Sequence, residues 1–146
     1  MKINSRTRAR RLALQGLYEW QVSGNAPADI ERQYLVEKEL HKVDIPYFRE
    51  LLTKVPRHRA ELDAVIEPLL NRKLEEVDPV ELAVLRLGAY ELVHHSDIPY
   101  RVVINEAVEL AKMFGAEQGH RFVNGIMDRL AASLRSTEVG SSRNRQ

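Results

Sequence analysis

The sequence contains no cysteine. That excludes a disulfide framework and every thiolate metal site, and it fits a reducing compartment. No apolar run approaches the roughly 20 residues of a membrane-spanning helix, and the charged N-terminus lacks the apolar stretch of a signal segment. The expectation is a soluble, cytoplasmic protein without membrane contact. A strong net charge is also missing, since 22 Lys and Arg stand against 21 Asp and Glu. There is no GxxxxGK[ST] loop and no strand leading into GxGxxG, so nothing indicates nucleotide binding. The five histidines form no HExxH and no ligand pair at i, i+4, and no serine sits in a nucleophile elbow. Glu75 and Glu76 are consecutive at a helix end with no partner for acid–base work. The expectation is a non-enzyme with no metal and no cofactor.

What is present is helix. The 146 residues suffice for one domain, or for two small subdomains sharing a core. The stretch from Asp78 to Val93 starts as a helix should: Asp78 can cap free N–H groups, Pro79 sits where no N–H is needed, and Glu81 completes a capping box. Val80, Leu82, Ala83, Val84, Leu85, Leu87, Ala89, Leu92 and Val93 cover nearly its whole circumference. A helix apolar all round lies inside a protein, so this one is expected at the centre of the core.

Periodicity near 100° per residue places further helices around it. One runs from about Ser5 to Val22, with Ala9, Leu12, Ala13, Gly16, Leu17 and Trp20 on its core side and Thr7, Arg11, Leu14 and Tyr18 along an outward stripe. A weaker one contains Ile30, Tyr34 and Leu40 and ends near His41. A third starts at Asp44 and breaks at Pro56. A fourth carries Leu62, Val65, Ile66, Leu69 and Leu70 to about Leu74, with Pro68 kinking it or marking its last turn. After Asp97-Ile98-Pro99, another helix repeats Val103, Ala107, Leu110, Ala111 and Phe114 and ends at Gly115 as a left-handed cap would. The last, from about Glu117 to Leu134, buries Val123, Ile126, Met127, Leu130 and Leu134. The fold class is all-α, with about seven helices. Residues 136 to 146 are polar and read as a disordered tail. Gly16, Gly88 and Gly125 fall inside helices, where each costs about 1 kcal/mol relative to alanine, and close helix approach is the expected compensation.

The balanced charge is unevenly placed. Lys2, Arg6, Arg8, Arg10 and Arg11 precede the first acid, Glu19, whereas residues 61 to 81 hold seven acids against only Arg72 and Lys73. One end suits a polyanion and the other region a basic partner. Arg11 and Tyr18 share an outward face, and Arg121 with Phe122 repeats the pairing on the last helix. Cations along a backbone with rings that stack bases are the chemistry of single-stranded RNA binding. The competing reading is a solvated, arginine-rich turn with aromatics at the edge of a core.

Four blocks carry a more specific signal: Ala9-Arg10-Arg11-Leu12-Ala13-Leu14-Gln15-Gly16-Leu17-Tyr18, Glu81-Leu82-Ala83-Val84-Leu85-Arg86, Ile98-Pro99-Tyr100-Arg101-Val102-Val103-Ile104-Asn105-Glu106-Ala107, and Phe122-Val123-Asn124-Gly125. In order and spacing they resemble the NusB family of bacterial transcription antitermination factors over about residues 1 to 135. The resemblance implies two small helical subdomains, about 1–75 and 76–135. It also implies binding of single-stranded boxA RNA together with NusE, a ribosomal protein, and assembly with NusA, NusG and RNA polymerase, notably on ribosomal RNA operons. The RNA-binding positions it implies are Lys2, Arg6, Arg10, Arg11, Tyr18, Gln118, Arg121 and Phe122, and the NusE contacts are Glu75 and Glu81. Position 118, often acidic in the family, is Gln118 here, which removes a charge that would repel phosphate. A helical protein–protein adaptor that never touches RNA is the alternative, and a homodimer is left open.

Overall fold

In the computed structural model, residues 3–144 are described, and among them all regular structure is helical. The implied RNA contact Lys2 lies outside the described residues. The chain forms two compact units, residues 1–59 and 60–146. This division falls earlier than the expected boundary near residue 75. Residues 60–74 go with the second unit because Asp63 takes a bidentate pair of bonds from Arg86, at 2.8 and 2.9 Å, and the Leu69 carbonyl accepts from Arg129 at 2.9 Å.

The first unit contains α1 (Ser5–Ser23), α2 (Pro27–Glu37) and α3 (Ile45–Arg57). Asn4 caps α1 by accepting from the Thr7 N–H at 2.8 Å, and Gly24, at φ 78°, ends it with a bond to the Trp20 carbonyl. Asp44 caps α3 through the Tyr47 N–H at 3.0 Å. The three helices meet around Ala13, Leu17, Ile30, Phe48, Leu51, Leu52 and Val55, all buried. Gly16 marks their closest approach, since a Cβ there would lie 2.9 Å from a Leu52 methyl and 3.3 Å from one of Ile30.

Three expectations fail in this unit. Helix α2 stops at Glu37, short of His41, and Pro56 lies within the last turn of α3 rather than breaking it. The ring removes one i→i−4 bond, and the helix ends one residue later, at Arg57. Thr7 and Leu14, expected on an outward stripe, are buried.

The second unit holds α4 (Arg59–Ile66), 3-10 turns at Glu67–Leu69 and Leu74–Glu76, α5 (Pro79–His94), α6 (Tyr100–Phe114), α7 (Gly119–Leu134) and α8 (Ser136–Asn144). The fourth helix thus stops at Ile66, with Pro68 in the 3-10 turn that follows. Helix α5 is buried from Glu81 to Leu92 and packs against α6 and α7, as its apolar circumference requires. At Gly88 an added Cβ would come within 2.6 Å of the Met127 methyl, so any side chain there would require Met127 to shift. Gly125 does not follow this pattern, because nothing lies within 4 Å of the Cβ position. Gly115 ends α6 in extended rather than left-handed backbone. Its absent Cβ avoids the Ala111 carbonyl oxygen, 2.7 Å away.

The stretch expected to be disordered is α8, an eighth α-helix among the described residues. Local propensity did not reveal it because the order comes from Arg135. The buried guanidinium donates to the carbonyls of Leu92, Ile98 and His95, each at 2.8 Å, and of Glu91 at 3.2 Å. It also pairs with Glu138 at 2.7 Å, and Glu138 accepts from the Tyr100 N–H at 2.9 Å. Burial alone would raise the Glu138 carboxyl, but these two donors hold it below the usual range. Val139 is buried beside them. Arg135→Leu strands four carbonyls at the end of a buried helix and is expected to cost about 3 kcal/mol by urea denaturation, with loss of α8. A cost below about 1 kcal/mol would contradict this role.

Candidate nucleic-acid interface

In the first unit, the N-terminal arginines do not all face solvent. Arg10 is 2 % exposed, and its guanidinium lies 5.5 Å from the centroid of the Tyr47 ring. Its expected place on an RNA surface is corrected: a guanidinium is weakly hydrated and stacks on aromatic faces, so it can be buried where lysine could not. Arg6 stacks on the same ring at 4.3 Å and approaches Asp44 at 4.0 Å, yet stays half exposed. Arg11 is half exposed with no ion-pair partner among the described residues, and Tyr18, two turns on, is 40 % exposed. These two keep the outward face that periodicity gave them.

In the second unit, Arg121 is exposed and Phe122 is half-buried. Both line a groove of about 320 Å³ together with Leu69, Asn71, Arg72, Gly125, Ile126 and Arg129. The Arg72 guanidinium covers the Phe122 ring at 4.6 Å, and Arg129 is held by the Leu69 carbonyl. Three guanidinium groups and no carboxylate line this space, so its field favours a polyanion. Sequence reasoning missed Arg72 and Arg129. Arg129 follows Arg121 and Gly125 at successive steps of four, a signal that periodicity could have supplied. Arg72 is fifty positions from Phe122 in the chain and gave none beyond being, with Lys73, one of two cations in an acidic segment. Gln118 is exposed and left-handed, at φ 71°, just before α7, and its side chain caps nothing.

The two acids differ. Glu75 is exposed in a 3-10 turn, whereas Glu81 is 8 % exposed. The first turn of α5 is therefore not the open surface expected for a partner contact. Glu81 is admitted by Gly119, where a Cβ would lie 2.6 Å from the carboxylate Oε2. Burial pushes the Glu81 carboxyl above the usual range, the Asp78 carboxylate adds to the shift, and the Arg72 guanidinium opposes it. Between the ordinary glutamate range and this raised value, the folded protein keeps a proton that the unfolded chain has released. Stability therefore falls as pH rises through that window, and the loss persists at neutral pH. Glu81→Gln is expected to raise the melting temperature at neutral pH, with the gain shrinking as pH falls through the carboxylate range. A lower melting temperature at neutral pH would overturn this account.

Comparison with known proteins adds what geometry alone cannot. The NusB family matches residues 7–132. The chain is 58 % identical over 132 residues to the transcription antitermination protein NusB of Shewanella amazonensis, covering 90 % of this chain and 98 % of that one. It is 56 % identical to the protein of the same name from Marinobacter nauticus over 94 % of this chain and 87 % of the relative. Among solved structures it resembles T. maritima NusB, with a TM-score of 0.76 and 32 % identity over 90 % of this chain and 92 % of that one. It also resembles a chain in a crystal structure of the antitermination factors NusB and NusE with double-stranded RNA. There the TM-score is 0.78 and the identity 31 %, over 87 % of this chain and 96 % of the other. The similarity spans both units and nearly every helix described above, and the chain belongs to the NusB family.

Proposed function

We propose that this chain binds boxA RNA as a complex with NusE and joins NusA, NusG and RNA polymerase in antitermination, notably on ribosomal RNA operons. The observation that carries the reading is the groove beside Phe122, an aromatic face walled by Arg72, Arg121 and Arg129 with no carboxylate in its lining. The similar chain solved with NusE and RNA supports the pairing of partners. No covalent chemistry is involved: cations neutralise phosphates, rings stack bases, and NusE adds RNA contacts of its own, so the joint surface binds better than either protein alone.

Magnitudes favour an RNA base over the resting contact at Phe122. An exposed cation–π pair such as Arg72 on Phe122 is worth about 0.5–1 kcal/mol, and a base stacked on an aromatic about 1–3 kcal/mol. A base can therefore displace Arg72 from the ring or slide between the two. In the first unit, Arg11 and Tyr18 offer the same chemistry, with Arg6 and Lys2 as further family positions, and in the second unit the family position is Gln118. Glu75 is the open carboxylate for a basic surface of NusE. Glu81 fits that role only where partner binding reaches its shielded carboxylate.

Fluorescence anisotropy with boxA and scrambled RNA, with and without NusE, tests the reading. Phe122→Ala and Tyr18→Ala are each expected to weaken boxA binding about 5- to 150-fold with helicity retained. The affinity should also fall with salt at a log–log slope of about −0.7 per neutralised phosphate. Unchanged affinity in both variants would remove the stacking role, equal binding of scrambled RNA would remove the boxA assignment, and no RNA binding at all would leave an adaptor that acts through proteins alone.

A further inference from the structure

Tyr47 is buried, yet its ring carries two cations. The Arg6 guanidinium lies 4.3 Å from the ring centroid and that of Arg10 5.5 Å, while Tyr47 itself is 3 % exposed. No assigned RNA or NusE contact includes it. Backbone bonds fix the ring relative to α1. The Asp44 carboxylate accepts from the Tyr47 N–H at 3.0 Å, and the Asp44 N–H donates to the carbonyl of Ser5, the residue before Arg6, at 3.1 Å. The cap of α3 thus ties the first turn of α3 to the first turn of α1.

A ring contact can place Arg6 without consuming its donors. A guanidinium is planar and carries five N–H groups in that plane, so a ring against its face leaves the edge to phosphate oxygens. Arg6 is half exposed and makes no hydrogen bond among the described residues. It meets a carboxylate only at 4.0 Å, between Nε and Asp44. A half-exposed ion pair at that distance is a weak tie that a phosphate can replace. Arg10 is too deeply buried to take this part, at 2 % exposure, but its charge on the same ring adds to the positive field that Arg6 presents. An arginine on a bare surface must freeze several rotors on binding. One already laid on a ring has less freedom to lose.

We infer that Tyr47 is a positioning residue for RNA binding: its ring holds the Arg6 guanidinium at the surface of the first unit, ready for a phosphate of the RNA backbone. The inference deepens the proposed function and rests on its claim that this chain binds RNA. What it adds is a buried residue of α3 that touches no RNA and yet sets how firmly α1 grips a phosphate.

Fluorescence anisotropy of labelled boxA RNA with the full chain and NusE tests this through a double-mutant cycle. Arg6→Ala is expected to weaken binding about tenfold and Tyr47→Leu about three- to fivefold. Tyr47→Phe keeps the ring and should lose less than about 1.5-fold. In the Arg6→Ala background, Tyr47→Leu should add no further loss, because the ring acts through Arg6. Full affinity in Arg6→Ala or in Tyr47→Leu would overturn the inference. So would an equal loss from Tyr47→Leu with and without Arg6, or a loss from Tyr47→Phe as large as that from Tyr47→Leu. If circular dichroism shows that Tyr47→Leu does not fold, Arg6→Lys decides, since it leaves the core untouched and keeps the charge but not the planar face. A loss of about threefold or more in Arg6→Lys supports the inference, and a smaller one overturns it. All these outcomes leave the RNA-binding reading standing, whereas failure of the unaltered chain to bind boxA RNA would overturn both.

Discussion

The structure of the second unit depends on one constraint: a helix buried along most of its length must have the carbonyls of its buried C-terminal end satisfied by the protein, because water does not reach them there. At the N-terminus of α5, the Asp78 carboxylate accepts from the N–H groups of Val80 and Glu81 at 2.9 and 3.1 Å. At the C-terminus, the guanidinium of Arg135 takes the carbonyls of Glu91, Leu92 and His95 and reaches on to Ile98. One side chain from the end of α7 therefore closes α5, fixes the turn into α6 and, through Glu138, starts α8. The grooves on both sides of α7 inherit their shape from this arrangement.

Electrostatics then separates two kinds of surface on the same helix. Arg121 and Arg129 of α7, with Arg72 from the segment between the two 3-10 turns, make a cationic wall beside Phe122. Asn124 and Asp128 face the other groove, lined from α6, α7 and α8, whose lining holds one guanidinium, Arg101, and one carboxylate, Asp128. Glu81 sits near the start of α7, shielded behind Gly119, with the Arg72 charge acting on it. Phe122, on the proposed RNA surface, and Glu81 thus have the same guanidinium, that of Arg72, as a neighbour.

Much of this was legible in the sequence where the determining interactions are local. Asp44 and Asp78 followed by proline located the starts of α3 and α5, and the unbroken apolar circumference of α5 located the core. The spacing of Arg11 and Tyr18 gave their common outward face. The misses arise where distant residues decide. Ser136–Asn144 is polar, and its order depends on bonds from Arg135 to carbonyls forty positions away. Arg10 is charged, but Tyr47 gives its guanidinium a face to stack on. Glu81 looks like an exposed capping residue until Gly119 is seen to make room for it. Arg72 gained a site role only when the fold laid it over Phe122.

The central claim is that RNA is held in the arginine-walled groove on α7. The direct measurement is photo-crosslinking of thiouridine-substituted boxA RNA to the chain bound to NusE, with adducts mapped by mass spectrometry. The account predicts an adduct on the α7 peptide that contains Phe122, lost when unlabelled boxA RNA competes. Adducts confined to peptides of α6 and α8, with none on that segment of α7, would contradict it.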